Sequence, residues 1–372
     1  SKKEKDVLWV GTDDGQLQLT RDGGKTWTNL TANIKGLPKG AWIPQIRASR
    51  YNAGEVFVIA NDYRRGDMGT YIFRSTDYGK TWVNMMAGKN NVKGYALCVL
   101  QDPVQPNLLF AGTENGLWLS FDNGNSFQQF TNNYPSVSTY DLAIQEREAD
   151  LVIATFGRAL YILDDIRPLR AIAANKGMLA DKKLSTYESP IAYQAFETGP
   201  PGIEYSTYGL YAADNRGSDA SINFFVKNDK VKPSKGNDSV TVKIYNAANE
   251  AIRTYKAKAD TGFNRITWNF TTKGIRQPGS PKPRRGAAEP GGGMRAAPGM
   301  YKAVVSMGDV ADSSMLNVQY DPRVKFDEAV FNAQKVMLQR LWQTSERLTA
   351  AMDRLTEMED ITRKLDGQLR DV

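Results

Sequence analysis

The chain has 372 residues, 41% of them hydrophobic and 24% charged, with a formal net charge of +7: the composition of a globular protein long enough for two or more domains. It contains no histidine and a single cysteine, which excludes His-based triads, His metal ligands and an internal disulfide. Lys and Arg are scattered among Asp and Glu, no apolar stretch reaches membrane-span length, and Ser1-Lys2-Lys3-Glu4-Lys5 is no signal peptide, so neither nucleic-acid binding nor a membrane span is expected.

Residues 7–11 (VLWVG) and 16–20 (QLQLT) flank the turn Thr12-Asp13-Asp14-Gly15 and read as short strands. An eight-residue motif follows, Thr20 to Trp27 (TRDGGKTW), and returns at Ser75 to Trp82 (STDYGKTW) and Ser120 to Phe127 (SFDNGNSF). Its Asp residues, Asp22, Asp77 and Asp122, are separated by 55 and 45 residues, about the period of propeller blades. An Asp two residues before a Gly suits a tight turn: the carboxylate accepts nearby backbone N–H groups, while Gly24, Gly79 and Gly124 supply φ > 0. Trp27, Trp82 and Phe127 then start the next strand and are expected to bury their rings between neighbouring sheets.

The motif resembles the Asp box of sialidase-like and Vps10/sortilin-like β-propellers. The wider order VGTDDG, Asp62-Tyr63-Arg64-Arg65-Gly66-Asp67, STDYGKTW, AGTENG, and Ala154-Thr155-Phe156-Gly157-Arg158 before YILDDI resembles bacterial proteins with such BNR-repeat propellers, often labelled glycosyl hydrolases or exo-sialidases. The resemblance implies that each box joins the third and fourth strands of a blade, is structural, and lies on the face away from the binding site. It also implies a small β-domain and helices after the propeller, with this chain as the C-terminal portion of a longer protein.

In that frame residues 7–20 are the second and third strands of a blade whose innermost strand is missing. Two complete blades follow, at Trp42 to Met86 and Tyr95 to Phe130, the latter with Cys98 buried in a strand. A degenerate blade without a box covers Thr139 to Leu163. Two full and two partial blades do not close a ring of about four to eight. The expected partner is therefore the remainder of the propeller, in the same protein or a second chain.

Beyond residue 168 the sequence reads as an irregular linker over 169–215, broken by Gly-Pro-Pro-Gly at 199–202. Six short β-patterned runs over 216–322 suggest an immunoglobulin/fibronectin-III-like β-sandwich. Its Pro/Gly/Arg-rich insert at 276–298 reads as a solvated, mobile loop rather than an arginine-rich recognition segment, because no aromatics interleave the arginines. Residues 323–372 form an amphipathic helical segment, with Val330, Met337, Leu341, Leu348, Leu355 and Leu365 in an apolar stripe that either binds a partner or packs on its own domain. The fold class is thus mainly β, a partial Asp-box propeller followed by a sandwich and C-terminal helices.

With the boxes marking one face, chemistry is sought on the other, at the turns between second and third strands: Asp13-Asp14, the 62–67 loop, Glu114-Asn115 and Phe156 to Arg158. Arg64, Arg65 and Arg158 suit a carboxylate or anionic sugar, and Tyr63 suits sugar stacking. Asp14, Asp67 and Glu114 are the candidate acid and base that glycoside hydrolysis would require. The competing reading pairs Arg64, Arg65 and Asp67 with one another across a surface loop. No motif locates a sialidase's arginine triad, and the paired aspartates of a xyloglucan hydrolase lie in a cleft between two propellers. No cofactor and no metal are expected. The favoured expectation is a binding or scaffolding protein of the bacterial envelope, periplasm or exterior, recognising a protein, peptide or glycan or belonging to an envelope assembly; the alternative is a glycoside hydrolase.

Overall fold

Four antiparallel sheets follow one another along the first 163 residues, each built from strands consecutive in sequence. They comprise β1 (Leu8–Gly11), β2 (Leu17–Thr20) and β3 (Thr28–Asn29); β4 (Trp42–Ala48), β5 (Val56–Asp62), β6 (Asp67–Ser75) and β7 (Val83–Asn84); β8 (Ala96–Gln101), β9 (Leu109–Thr113), β10 (Gly116–Ser120) and β11 (Gln128–Phe130); and β12 (Thr139–Gln145), β13 (Asp150–Thr155) and β14 (Leu160–Leu163). The computed structural model describes residues 1–89, 91–179, 182–195, 216–227, 239–283, 289–325 and 327–370, in two units, Ser1–Ala180 and Asp181–Val372.

The sheets are stacked like successive propeller blades. Strands β9 and β10, and β5 up to Asp62, are buried throughout, which explains their near-continuous apolar sequences: both faces meet a neighbouring sheet. Three hydrophobic clusters fill the three junctions. The end sheets behave differently. Trp9 packs towards the second sheet and Tyr161 towards the third, whereas Leu8, Val10, Leu160 and Ile162 are exposed on the outer faces.

Each box closes with the same hydrogen bonds. The carboxylates of Asp22, Asp77 and Asp122 accept from the amide of Thr26, Thr81 or Ser126 at 2.9 Å and from its hydroxyl at 2.6 Å. Each also accepts from the hydroxyl that opens the motif, at 2.7–2.9 Å. That hydroxyl in turn accepts the box glycine amide. Gly79 and Gly124 adopt φ of +77° and +87°, and a Cβ there would run into Leu30 and Met85 of the preceding blade.

The closing ring follows the same logic. Phe127 is 6% exposed in the cluster shared with Met85 and Met86, and Trp82 meets Trp9 edge-on at 6.4 Å. Trp27, expected to be buried, is 44% exposed, because no sheet among the described residues precedes its own.

The stretch read as an irregular linker is ordered where it is described. Helix α1 (Arg167–Ala174) starts with Pro168 in its first turn and buries Ile172 and Ala173 in the cluster of the third and fourth sheets; proline there begins a helix rather than breaking one. Arg170 Nε reaches both oxygens of Asp102 at 3.0–3.1 Å. Further on, β15 (Leu184–Thr186) and β16 (Ala192–Gln194) join the second unit. They are too short to show a period. Residues 196–215, with the Gly-Pro-Pro-Gly run, lie outside the described residues.

The second unit adds β17 (Ala220–Val226), β18 (Ser239–Tyr245), β19 (Ala251–Lys258), β20 (Gly262–Trp268), β21 (Gly299–Met307) and β22 (Val310–Tyr320). One sheet has the order β15-β17-β20 and the other β16-β22-β21-β18-β19, with β16 parallel to β22. Ile222, Phe224 and Trp268 of the first face Val242, Val305 and Leu316 of the second in one cluster. The insert at 276–298, expected to be free, is tied down where described: Gly274 N donates to Pro290 O, Arg253 Nη1 to Pro290 O, and Thr254 N to Glu289 Oε2. Residues 284–288 lie outside the description. In place of several helices the described residues of 323–372 form one, α2 (Glu328–Arg370), and its apolar stripe is largely exposed rather than packed on its own domain.

Two outcomes follow from these contacts. The Asp102 side chain is fully buried and that of Arg170 nearly so, so Arg170→Ala should cost about 3–5 kcal/mol in urea unfolding by stranding a charge. For Asp77 and Asp122, burial would raise the pKa, but the bonds from Thr81 or Ser126 and from Ser75 or Ser120 outweigh it and hold both below the ordinary value. Asp22 is lowered by the Thr26 hydroxyl, then by the Thr26 amide. A depressed folded pKa stabilises fully above the unfolded value of about 4 and is lost as pH falls through the folded one. Acid titration followed by tryptophan fluorescence should show stability falling below about pH 4, with a shallower slope in Asp122→Asn.

Candidate functional site

Hydrogen bonds fix which turns share a face. Tyr78 N donates to Gly54 O and Asn123 N to Asn107 O, placing the boxes beside the turns that follow the innermost strands. At the opposite end Thr70 Oγ1 donates to Gly94 O, Glu114 N to Tyr95 O and Phe156 N to Ser138 O. The second-to-third-strand turns therefore form one rim, beside the chain entering β4, β8 and β12.

On that rim the structure brings some predicted residues together and separates others. The rings of Tyr63 and Tyr95 stack at 4.5 Å. Arg64 lies over Trp42 at 4.5 Å and over Tyr63 at 5.9 Å. The result is a continuous Trp42–Arg64–Tyr63–Tyr95 row, with Glu114 near enough to Tyr95 to help raise its phenol pKa, after burial. Tyr140 and Phe156 stand exposed on the same side. Trp42, whose place in a strand reads as core, and Tyr95 take part because the β4 and β8 entries lie beside the 62–67 loop, a proximity that strand periodicity does not contain.

The remaining candidates serve their own turns. Arg65 forms a two-pronged pair with Asp62 (2.7 and 2.9 Å) and donates to Lys39 O. It does not pair with Asp67, whose oxygens accept from Gly69 N at 2.8 Å and Tyr71 OH at 2.7 Å. Asp14 accepts the hydroxyl of Thr12. Arg158 is exposed. Asp14, Asp67 and Glu114 thus occupy turns of three successive sheets, and no contact joins them. Among the described residues no cluster of three or more acidic or Cys side chains is suited to a metal.

A second polar constellation lies along the innermost strands. Gln45 Oε1 accepts Val99 N at 2.8 Å, while its Nε2 donates to Asp141 at 3.1 Å; Arg47 Nη2 meets the same carboxylate at 2.9 Å. Residues of the second and fourth sheets thereby meet across the third. Towards the box end Arg50 pairs with Glu146, and a cavity of about 360 Å³ opens among residues that include Arg47, Arg50, Tyr51, Asp102 and Glu146. These partners lie 94–96 residues apart in sequence, so no local motif announces them.

No family model matches the chain. It is 24% identical over 222 residues to a probable oligoxyloglucan-reducing end-specific xyloglucanase of Neosartorya fischeri, covering 55% of this chain and 26% of that protein. It is likewise 24% identical over 222 residues to xyloglucanase Xgh74A of Acetivibrio thermocellus, covering 55% and 25%. The chain thus spans about a quarter of the length of these relatives. Among solved structures it is similar to a GH74 enzyme of Niastella koreensis (16% identity, TM-score 0.36, 73% of this chain and 37% of that one). It is also similar to YCF48 bound to D1 peptide (15%, 0.32, 42% and 48%) and to PorZ, a surface component of the type-IX secretion system of Porphyromonas gingivalis (14%, 0.30, 83% and 36%).

The phenol of Tyr71 is pushed up to about 12 by burial and by its bond to Asp67, and that of Tyr51 to about 12 by burial and the Asp102 charge. Alkaline difference spectroscopy should find both ionising near these values, and Asp67→Asn should lower the Tyr71 transition by removing a negative neighbour.

Proposed function

We propose that the first unit belongs to a binding or scaffolding protein that recognises a glycan or peptide through the rim opposite the Asp boxes. The observation that carries this reading is the Trp42–Arg64–Tyr63–Tyr95 row, flanked by exposed Tyr140, Phe156 and Arg158. Flat aromatic faces take up the C–H face of a sugar or a peptide side chain, and a guanidinium set among them offers forked donors to a hydroxyl or carboxylate. Asp67 and Asp14 hold their own turns, which favours recognition over acid–base chemistry. The two-sheet unit is the docking module of this proposal, read as immunoglobulin-like. An envelope or extracellular setting rests on the Asp-box resemblance. The exposed outer faces of the end sheets, at Leu8, Val10, Leu160 and Ile162, support completion of the ring by further blades.

The hydrolase reading is supported by the 24% identity to two xyloglucanases. Glu114, whose side chain stands beside Tyr95, is the carboxylate it would use. A single assay separates the readings. The protein is titrated by calorimetry against neutral and acidic oligosaccharides, xyloglucan included, and against a peptide panel, while reducing sugar is monitored. Saturable binding without turnover, weakened at least tenfold by Tyr63→Ala or Arg64→Ala at unchanged melting temperature, is the expected result. Sugar release abolished by Glu114→Gln would replace it with the hydrolase, and absence of binding to every ligand would refute the rim.

A further inference from the structure

Helix α2 is 43 residues long, about 65 Å at 1.5 Å per residue, and its two sides differ. Met337, Leu341, Leu348, Leu355, Met358 and Leu365 follow the alternating three- and four-residue spacing of a heptad seam. All six are exposed. Thr344, Ala351 and Thr362 occupy the seam positions between them, and the Thr344 and Thr362 hydroxyls are satisfied by Arg340 O and Met358 O of their own helix.

The opposite side is already held. Thr349 Oγ1 donates to Arg276 O at 3.0 Å, Asp353 pairs with Arg276 and Glu357 with Lys282. At 100° per residue, Thr349, Asp353 and Glu357 average about 180° from the seam. The two-sheet unit therefore holds the helix by the side that carries Thr349, Asp353 and Glu357 together with Phe331, edge-on to Tyr320, and half-buried Trp342, and turns the continuous apolar seam outward. An amphipathic helix that merely covered its own domain would be mounted the other way round.

One flank of the seam carries Arg340, Arg347 and Arg354 at heptad spacing. All three are exposed, and no ion pair within 4.0 Å engages them among the described residues. This position beside a seam meets the partner helix in a coiled coil. A second copy of α2 answers it poorly. In a parallel, in-register pair the three arginines face Ser345, Met352 and Glu359, one carboxylate for three guanidiniums; in an antiparallel pair the row faces itself.

We propose that the seam of α2 is the docking site for an amphipathic helix of different sequence, with apolar residues at its own heptad core positions and carboxylates on the flank that meets Arg340, Arg347 and Arg354. The seam supplies apolar burial along about four heptads, and the arginine row selects the partner's charge.

Fluorescence anisotropy on the full chain tests this with two labelled synthetic helices of about five heptads, both with Leu at the core positions, one with Glu and one with Lys on the flanks. Like-charge repulsion keeps each peptide from pairing with itself. The Glu helix should bind saturably one to one, at least tenfold more tightly than the Lys helix. Added salt should weaken it, and the double change Leu348→Asp with Leu355→Asp should abolish it. Arg347→Glu should narrow the preference for the Glu helix, and all these positions are exposed, so the melting temperature of the two-sheet unit should not move. Equal binding of both helices, or binding of neither, overturns the proposal. So does a dimer of the free chain in sedimentation equilibrium that Leu348→Asp dissociates, which makes a second copy the occupant.

Discussion

The first unit depends on one small joint: a carboxylate accepting an amide and a hydroxyl four residues ahead and a hydroxyl two residues behind. The dimensions agree within about 0.2 Å in three boxes whose intervening residues differ. Charge-assisted bonds of this length are among the strongest a turn can make. Because the same hydroxyl accepts the box glycine amide, the turn is locked from both ends. In the second and third boxes the glycine is then held against the blade before it, so a local turn becomes a spacing device between sheets.

The two ends of the innermost strands are furnished differently. At the box end charges meet their opposites over long sequence distances, as in Arg50 with Glu146 and Arg170 with Asp102. At the rim, rings meet rings and a guanidinium lies over two of them. The first set neutralises itself, whereas the second keeps Arg64 exposed and its three rings half-exposed. This contrast separates a brace from a surface fitted for contact.

The blades were legible in the sequence because their strands are bounded by turn residues and the boxes fix which turn is which. The rim loops were placed on the correct face for the same reason. What escaped was whatever depends on distance in sequence or on very short elements. Asp141 and Arg47 are 94 residues apart, β15 and β16 have three residues each, and the eight-residue helix at Pro168 is too short to stand out in a stretch read as irregular. Arg65 was seen as a binding residue, but the nearer carboxylate of Asp62 claims it. The apolar stripe of α2 was visible throughout. Its outward orientation was not, since that depends on Arg276 and Lys282, more than 70 residues away.

The contact between each box glycine and the preceding blade has a direction. Leu30 of the first sheet seats the second box and Met85 of the second sheet seats the third, while no box reaches forward in this way. In a repeat array whose stability is a sum of its units and their neighbour interfaces, such a seat ties each box turn to the packing of the blade before it, so a change in a core side chain of one blade is also felt at the turn of the next.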